Sequence, residues 1–169
     1  RRQRQMCIRD RYNLNVAQLL LTNEDFSTPK RTQNVTNTFD ELLKHDDVIP
    51  IINENDSVAT EELKFGDNDS LSASIAVLIK ASLLIILTEV DGLMDSDGNL
   101  IIEIESLAEA LTHVRDDTGT YSVGGMGTKL EAIDRVSRDG IPALIANGRR
   151  YKQLEALIAG SGLCTRIKI

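Results

Sequence analysis

Apolar runs alternate along the chain with amphipathic segments of about one helix length. Runs without polar alternation are typical of buried strands, and a spacing of three or four residues is typical of helices. In the first half the pattern predicts a strand or the end of a helix at 16–21, a helix at 38–45 opened by a Thr38-to-Glu41 capping box, a strand at 48–52, a polar stretch at 53–67 with room for a hairpin, and a buried helix at about 69–81.

The second half opens with the most continuous apolar run, residues 82–88, which is typical of a central parallel strand covered on both faces. The pattern then predicts a strand at 100–104, a short helix from Ser106, a polar loop at 115–125, a helix at 128–139 ended by Gly140, a strand at 141–146, a helix at 151–159 and a last strand at 163–169. This alternation favours an α/β fold with a parallel sheet between two helical layers. No repeat, linker or second domain is visible.

The charge is unevenly distributed. The formal net charge is −7, but residues 1–11 carry +4, which leaves −11 for residues 12–169. An acidic body repels phosphates, so nucleic acid is disfavoured as a partner. The basic head has two interpretations, a nucleic-acid or membrane arm, or a non-native segment at the broken end of a reading frame. We favour the second, and on that interpretation the natural protein begins upstream.

Several functional classes are disfavoured by composition. No apolar run reaches the roughly 18 residues of a membrane span, and no signal peptide is visible. Cys7 and Cys164 are too few for a disulfide framework, which favours a reducing, cytoplasmic location. His45 and His113 are far apart, which argues against a zinc site.

Two acid-amide clusters are the strongest candidates for chemistry. Residues 53–56 (NEND) follow a predicted strand, and residues 67–69 (DND) open a predicted helix. Open α/β folds place ligands at such ends of strands and helices. The clustered carboxylates need a counter-charge, which a substrate ammonium, a lysine or a metal can supply. The structural alternative, Asx-turns at a hairpin and an N-cap for the helix after Asp69, stays open.

A glycine-rich segment, residues 124–129 (GGMGTK), is the second candidate. Thr128 is predicted to cap the following helix, and Lys129 falls in its first turn. A cation there opposes the helix dipole unless an anion such as phosphate lies between them. The order of residues is not that of a Walker loop. A flexible loop with a solvated lysine remains the alternative.

Weaker signals surround these clusters. Residues 87–92 end the most buried strand, where a ligand contact and an ordinary strand exit are equally well supported. Residues 95–99 do not match a calcium loop and predict a β-turn, and Asn147-Gly148 predicts a turn.

Four segments together resemble the glutamate 5-kinases of the amino acid kinase family. They are residues 48–73, 83–94, 123–133 and 140–148, and the resemblance spans residues 14–167. It implies a three-layer α/β/α sandwich around a mostly parallel sheet. It also implies ATP-dependent phosphorylation of the γ-carboxylate of L-glutamate, the first step of proline biosynthesis, with Mg²⁺ carried by the nucleotide and no metal ligand assigned in the protein.

The resemblance also implies roles for individual residues. The glutamate-binding residues would be Asn53, Asp56, Asp67 and Asn68. Asp69 would orient the catalytic lysines, and Lys129 would stabilise the transition state. The nucleotide would be bound by Thr88, Glu89, Val123, Gly124, Gly125, Met126, Gly127, Thr128 and Lys129. Feedback by proline and a homo-oligomer are further expectations.

The sequence departs from the family pattern at Glu89, Met94 and Val123, where Asp, Tyr and Thr are frequent. The family's first strand, with a Lys-x-Gly-Ser motif, has no counterpart. We therefore expect residues 12–169 to be the C-terminal two-thirds of the kinase domain, nearly inactive alone. Two alternatives remain: a related kinase for another carboxylate, and a noncatalytic glutamate or proline sensor on the same fold.

Overall fold

The computed structural model describes residues 14–55, 67–105, 110 and 125–167. The chain divides into two compact units, residues 1–71 and 72–169. Within the described ranges, no helix is long and apolar enough to cross a membrane. Most of the expected polar stretch at 53–67, the helix from Ser106 and nearly all of the loop at 115–125 fall outside these ranges.

The first unit is built on a pair of parallel strands. Strand β1 (Asn15–Leu21) and strand β2 (Val48–Glu54) pair from Asn15 opposite Val48 to Leu21 opposite Glu54. A short 3-10 helix at 23–26 and helix α1 (Pro29–Leu42) connect them. The strand predicted at 48–52 is confirmed, and the choice between a strand and the end of a helix at 16–21 is settled as a strand. The two strands end together at one edge.

The prediction for helix α1 was wrong at its start. The helix begins at Pro29, and Thr28 is its N-cap, with the Thr28 side chain accepting a hydrogen bond from the Arg31 amide at 3.4 Å. Thr38, the predicted cap, lies inside the helix and donates to the Asn34 carbonyl at 2.9 Å. Few apolar residues mark the first turns, so the hydrophobic period did not reveal them.

The second unit contains a four-stranded sheet. Helix α2 (Asn68–Leu78) starts in the first unit and continues into the second. The elements that follow it are β3 (Leu84–Thr88), β4 (Glu103–Ile104), α3 (Met126–Ser137), β5 (Ala143–Asn147), α4 (Gln153–Ile158) and β6 (Cys164–Ile167). The strand order is β3-β5-β6-β4. Strand β3 is parallel to β5 and β4 is parallel to β6, whereas β5 and β6 are antiparallel. The expected parallel character therefore holds except for one pair.

Strand β5 separates two apolar clusters. Ala143 and Ile145 belong to the larger one, with the helix α3 residues predicted for its buried face, namely Leu130, Ile133 and Val136. Leu144 and Ala146 belong to the other, with Leu157 of helix α4. Successive strand residues point to opposite faces. The second unit therefore has helices on both faces of its sheet, as expected.

Element boundaries differ from the predictions by two or three residues in several places. Helix α2 ends at Leu78 rather than near 81, and Lys80 adopts a left-handed conformation with φ of 51°. The predicted strand at 100–104 is reduced to Glu103–Ile104, because Leu100 instead forms an antiparallel bridge with Met94. A left-handed residue and a local backbone bridge thus lie at these two boundaries, and the hydrophobic pattern reports neither.

Gly92 lies where a side chain has no room. A Cβ built there would lie 2.8 Å from Leu100 Cδ1 and 2.9 Å from the Thr165 amide nitrogen. Thr165 is fully buried, accepts a hydrogen bond from the Leu93 amide at 2.8 Å and donates to the Ile101 carbonyl at 2.6 Å. The close packing at Gly92 thus fixes the segment that follows strand β3.

We expect Gly92→Ala to lower the free energy of unfolding by about 1–3 kcal/mol, because the methyl group displaces buried backbone. Urea denaturation measures the loss. Gly127→Ala is the control, since among the described residues no atom outside its own helix backbone and chain neighbours lies within 4 Å of a Cβ at that position. Equal stability of the two variants would contradict the expected crowding at Gly92.

Candidate active site

The first acid-amide cluster begins at the carboxyl end of the β1–β2 pair. Asn53 pairs with Leu20, and the Asn55 amide donates to the Leu21 carbonyl at 2.8 Å, so the ladder continues one residue past Glu54. Asn53 is half-buried at this end. Asp56 lies outside the described residues. The structure thus places Asn53 at the strand end that the sequence predicted.

The second cluster forms the start of helix α2. Asp67 Oδ1 accepts a hydrogen bond from the Ser70 amide at 2.6 Å, which makes Asp67 the N-cap. The helix begins at Asn68, not after Asp69 as the capping alternative supposed. Asp69 lies in the first turn, where the helix dipole favours a carboxylate. Asp67 therefore has a structural role, and its role in substrate binding stays a prediction.

The glycine-rich segment leads into helix α3. Gly125 is the N-cap and has no side chain to offer, and the helix begins at Met126. The prediction that Thr128 caps this helix was wrong, because Thr128 lies inside the first turn and its hydroxyl donates to the Gly125 carbonyl at 3.1 Å. Lys129 is the fourth helical residue and is half-buried. Val123 and Gly124 lie outside the described residues.

The start of helix α3 has the chemistry of an anion site. The first amides of a helix have no acceptor within the helix, and those of Met126 and Gly127 lie in this turn. Gly127 is exposed, and no described residue outside its own helix backbone and chain neighbours has an atom within 4 Å of the position its Cβ would take. A phosphate can approach such a backbone closely and is attracted by the helix dipole.

Strands β3 and β5 end side by side in the second unit. Thr88, the last residue of β3, pairs with Asn147, the last residue of β5. The Gly148 amide donates to the Thr88 carbonyl at 2.9 Å. Asn147 Nδ2 donates both to the Glu89 carbonyl at 3.1 Å and to Asp91 Oδ1 at 3.0 Å. The side chain of Asn147 therefore crosses from one strand exit to the other.

Two ion pairs reinforce this connection. Arg150 donates from Nε to Asp91 Oδ1 at 2.7 Å and from Nη2 to Asp91 Oδ2 at 2.5 Å. Arg149 pairs with Glu89, and both of these side chains are largely exposed. We call the set Glu89, Asp91, Asn147, Arg149 and Arg150 the polar brace. The hydrogen bond from Arg150, followed by that from Asn147, lowers the pKa of Asp91 to about 2.

The sequence did not reveal the polar brace. Asn147-Gly148 was predicted as a turn, and a turn does follow Asn147. The Asn147 side chain also donates a hydrogen bond to Asp91, which the turn prediction did not indicate. A signal was present in the sequence. Glu89 and Asp91, separated by one residue, follow the predicted strand at 82–88, and Arg149 and Arg150 follow the predicted strand at 141–146. Opposite charges after two strand exits predict a contact only once the strands are known to be neighbours.

The acidic segment 95–99 forms a turn, as predicted. Asp95 Oδ1 accepts from the amides of Asp97 at 2.9 Å and Asn99 at 2.8 Å. These bonds, the Asn99 amide first, lower the pKa of Asp95. Among the residues with described positions, no group of three or more His, Cys, Asp or Glu is arranged to hold a metal ion.

A comparison with known families decides the assignment. The sequence pattern of the amino acid kinase family matches residues 6–147. The chain belongs to the amino acid kinase family. This match includes the acid-amide clusters, the glycine-rich segment and the end of strand β5, and it confirms the family resemblance inferred from the four segments.

Within the family, the chain is similar to enzymes named glutamate 5-kinase. The one from Clostridium acetobutylicum is 43% identical over 154 residues, which cover 87% of this chain and 57% of the relative. The one from Ligilactobacillus salivarius is 41% identical over 165 residues, which cover 91% of this chain and 61% of the relative. The chain thus spans about three-fifths of the length of these two relatives.

Solved structures share the family fold. The UMP kinase of Ureaplasma parvum matches with a TM-score of 0.58 at 17% identity, over 95% of this chain and 62% of that one. An N-acetylglutamate synthase from Neisseria gonorrhoeae matches with a TM-score of 0.61 at 20% identity, over 79% and 30% of the respective chains. At these identities the likeness concerns the fold alone, and it confirms the predicted α/β class.

The polar brace predicts a pH dependence of stability. The pKa of Asp91 is lower in the folded chain than in an unfolded one, where it is about 3.9. Its contribution is therefore complete above that value and is lost as the pH falls toward 2. We expect Asp91→Asn to remove this part of the acid loss, measured as the urea unfolding free energy from pH 7 to pH 2.

Asp139→Asn, at an exposed turn after helix α3, is the matched control. It should keep the acid loss of the unmodified chain. If Asp91→Asn follows the same pH curve as Asp139→Asn, the Arg150 contact does not hold Asp91 in solution.

Proposed function

We propose that this chain supplies the glutamate- and nucleotide-binding residues of a kinase that transfers a phosphoryl group from ATP to the γ-carboxylate of L-glutamate. This reaction is the first step of proline biosynthesis. The observation that carries the proposal is the similarity to glutamate 5-kinases over about nine-tenths of the chain. The geometry at the start of helix α3 supports the nucleotide part of the proposal.

The residues assigned to nucleotide binding belong to the second unit. The amides at the start of helix α3 and the open space at Gly127 fit the phosphates of ATP. Lys129, in the same first turn, adds the positive charge that the moving phosphoryl group requires. Thr88 is the last residue of strand β3 and Glu89 follows it, at the end of the strand where parallel sheets bind ligands. Mg²⁺, carried by the nucleotide, would neutralise phosphate charge, and no protein ligand is assigned to it.

The residues assigned to binding the substrate glutamate belong to the first unit. We assign this role to Asn53, Asp56, Asp67 and Asn68. Capping of helix α2 fixes the carboxylate of Asp67, and Asn68 beside it is exposed. A carboxylate held in place before binding suits the ammonium group of an amino acid. We assign Asp69 to the orientation of lysines, not to proton transfer.

The reaction needs little covalent help from the protein. A γ-carboxylate is already ionised at neutral pH, so its oxygen attacks the γ-phosphorus without a general base. The bond from phosphorus to the bridging oxygen breaks, and ADP leaves with the charge. In-line placement and charge neutralisation then account for catalysis. This division of labour gives Lys129 the largest effect on turnover among the assigned residues.

We expect Lys129→Ala to lower kcat by about 10²- to 10³-fold, because a group that stabilises transition-state charge is removed. The measurement is a glutamate-dependent hydroxamate assay on this chain joined to the N-terminal part of the Clostridium acetobutylicum relative. Lys44→Ala, an exposed lysine of the first unit paired with Glu41, is the control and should keep full activity. A folded protein that binds glutamate without turnover would be a sensor, and preference for another carboxylate would indicate a related kinase.

We expect Gly127→Ala to weaken ATP binding about tenfold or more, because its methyl group occupies the space that a phosphate would take. Isothermal titration with ATP and Mg²⁺ measures this affinity, and glutamate binding should not change. Gly98→Ala is the control, since among the described residues no atom beyond its chain neighbours lies within 4 Å of a Cβ at this turn, and its φ of 84° makes the variant a test of added backbone strain alone. Unaltered ATP affinity in Gly127→Ala would show that the phosphates of ATP do not bind at the start of helix α3.

A further inference from the structure

The ion pairs of the polar brace are largely exposed. The side chains of Arg149 and Glu89 are 73% and 75% exposed, and that of Arg150 is 47% exposed. Ion pairs at such exposures are weak, because water screens the charges and long side chains lose freedom. Nevertheless, hydrogen bonds from four consecutive residues, 147–150, converge on residues 88–91.

The targets of these bonds fix the backbone on both sides of Glu89. The Thr88 carbonyl accepts from the Gly148 amide, and the Glu89 carbonyl accepts from Asn147 Nδ2. Each carbonyl shares a rigid plane with the next amide, and in a trans peptide the amide points the opposite way. No peptide bond among the described residues is cis. The amides of Glu89 and Val90 therefore point away from the turn that follows strand β5.

The remaining contacts limit how far this arrangement can shift. Arg150 holds both carboxylate oxygens of Asp91 in a two-pronged contact, a geometry that lysine cannot copy. A Cβ at Gly148 would lie only 3.1 Å from Leu87 Cβ, so the turn packs closely on strand β3. Gly92, the residue after Asp91, is also closely packed, and this packing fixes the other end of residues 88–91.

We propose that Asn147 and Arg150 are positioning residues for the nucleotide, which orient the peptide planes at Glu89 so that the amides of Glu89 and Val90 meet hydrogen-bond acceptors of bound ATP. The inference rests on the proposed function. It assigns neither residue to the chemistry itself. Their contribution is to hold a short exposed segment in the single orientation that the ligand recognises, which lowers the entropy lost on binding.

The test uses this chain joined to the N-terminal part of the Clostridium acetobutylicum relative, without and with Arg150→Lys or Asn147→Ala. Arg150→Lys keeps the charge and loses the two-pronged contact, and Asn147→Ala loses the donor to the Glu89 carbonyl. We expect each variant to raise the Kd for ATP with Mg²⁺ about tenfold, with the Kd for glutamate unchanged and only a small decrease in the urea midpoint, from the weaker contact to Asp91. The amide NMR signals of Glu89 and Val90 should shift on ATP addition in the unmodified chain and shift less in both variants.

Arg138→Lys is the control, since Arg138, the C-cap of helix α3, forms an exposed ion pair with Asp134 that is outside the polar brace. Unchanged ATP affinity in both brace variants overturns the inference. A joint loss of ATP binding, glutamate binding and stability overturns it as well, because it indicates a purely structural role. If the unmodified chain does not bind ATP, the nucleotide part of the proposed function fails first, and this inference fails with it.

Discussion

Strand β5 is buried on both faces, and the second unit is arranged around this constraint. Its residues Ala143 to Ala146 are all buried, alternately against helix α3 and against helix α4. A strand enclosed in this way has no polar face, so polar groups can appear only where it ends. Asn147 is that end. The polar chemistry of this part of the molecule is therefore concentrated at one edge of the sheet, next to the end of strand β3.

The same constraint explains why the fold was predictable. Long apolar runs mark the enclosed strands, and a spacing of three or four residues marks helix α3, so element types and order were correct along most of the described chain. The start of helix α1 was missed because its first turns carry few apolar residues, and its cap, Thr28, lies before any hydrophobic period begins. Strand β4 was overestimated because Leu100 pairs locally with Met94.

The candidate site was predictable to the extent that it is local in sequence. The glycine-rich segment and the two acid-amide clusters lie at the ends of elements, as their composition indicated. The polar brace could not be predicted from the sequence, because it joins residues about 60 positions apart. Its formation depends on strand order, which charge pattern alone does not determine. Thr128 shows a further limit, since a capping pattern in the sequence does not tell which residue the helix starts from.

The antiparallel pairing of β5 and β6 has a consequence for how this fold can vary. Because β6 runs back along β5, the chain that leaves the sheet after Asn147 re-enters it at Cys164 on the same edge, opposite Ala146. Such a return needs no crossover, and no handedness rule restricts it. Insertions or deletions after the polar brace, between residues 151 and 163, can therefore change the length of this connection without a change in strand order. A change in the length of this connection would alter the surface beside the polar brace and leave the sheet itself intact.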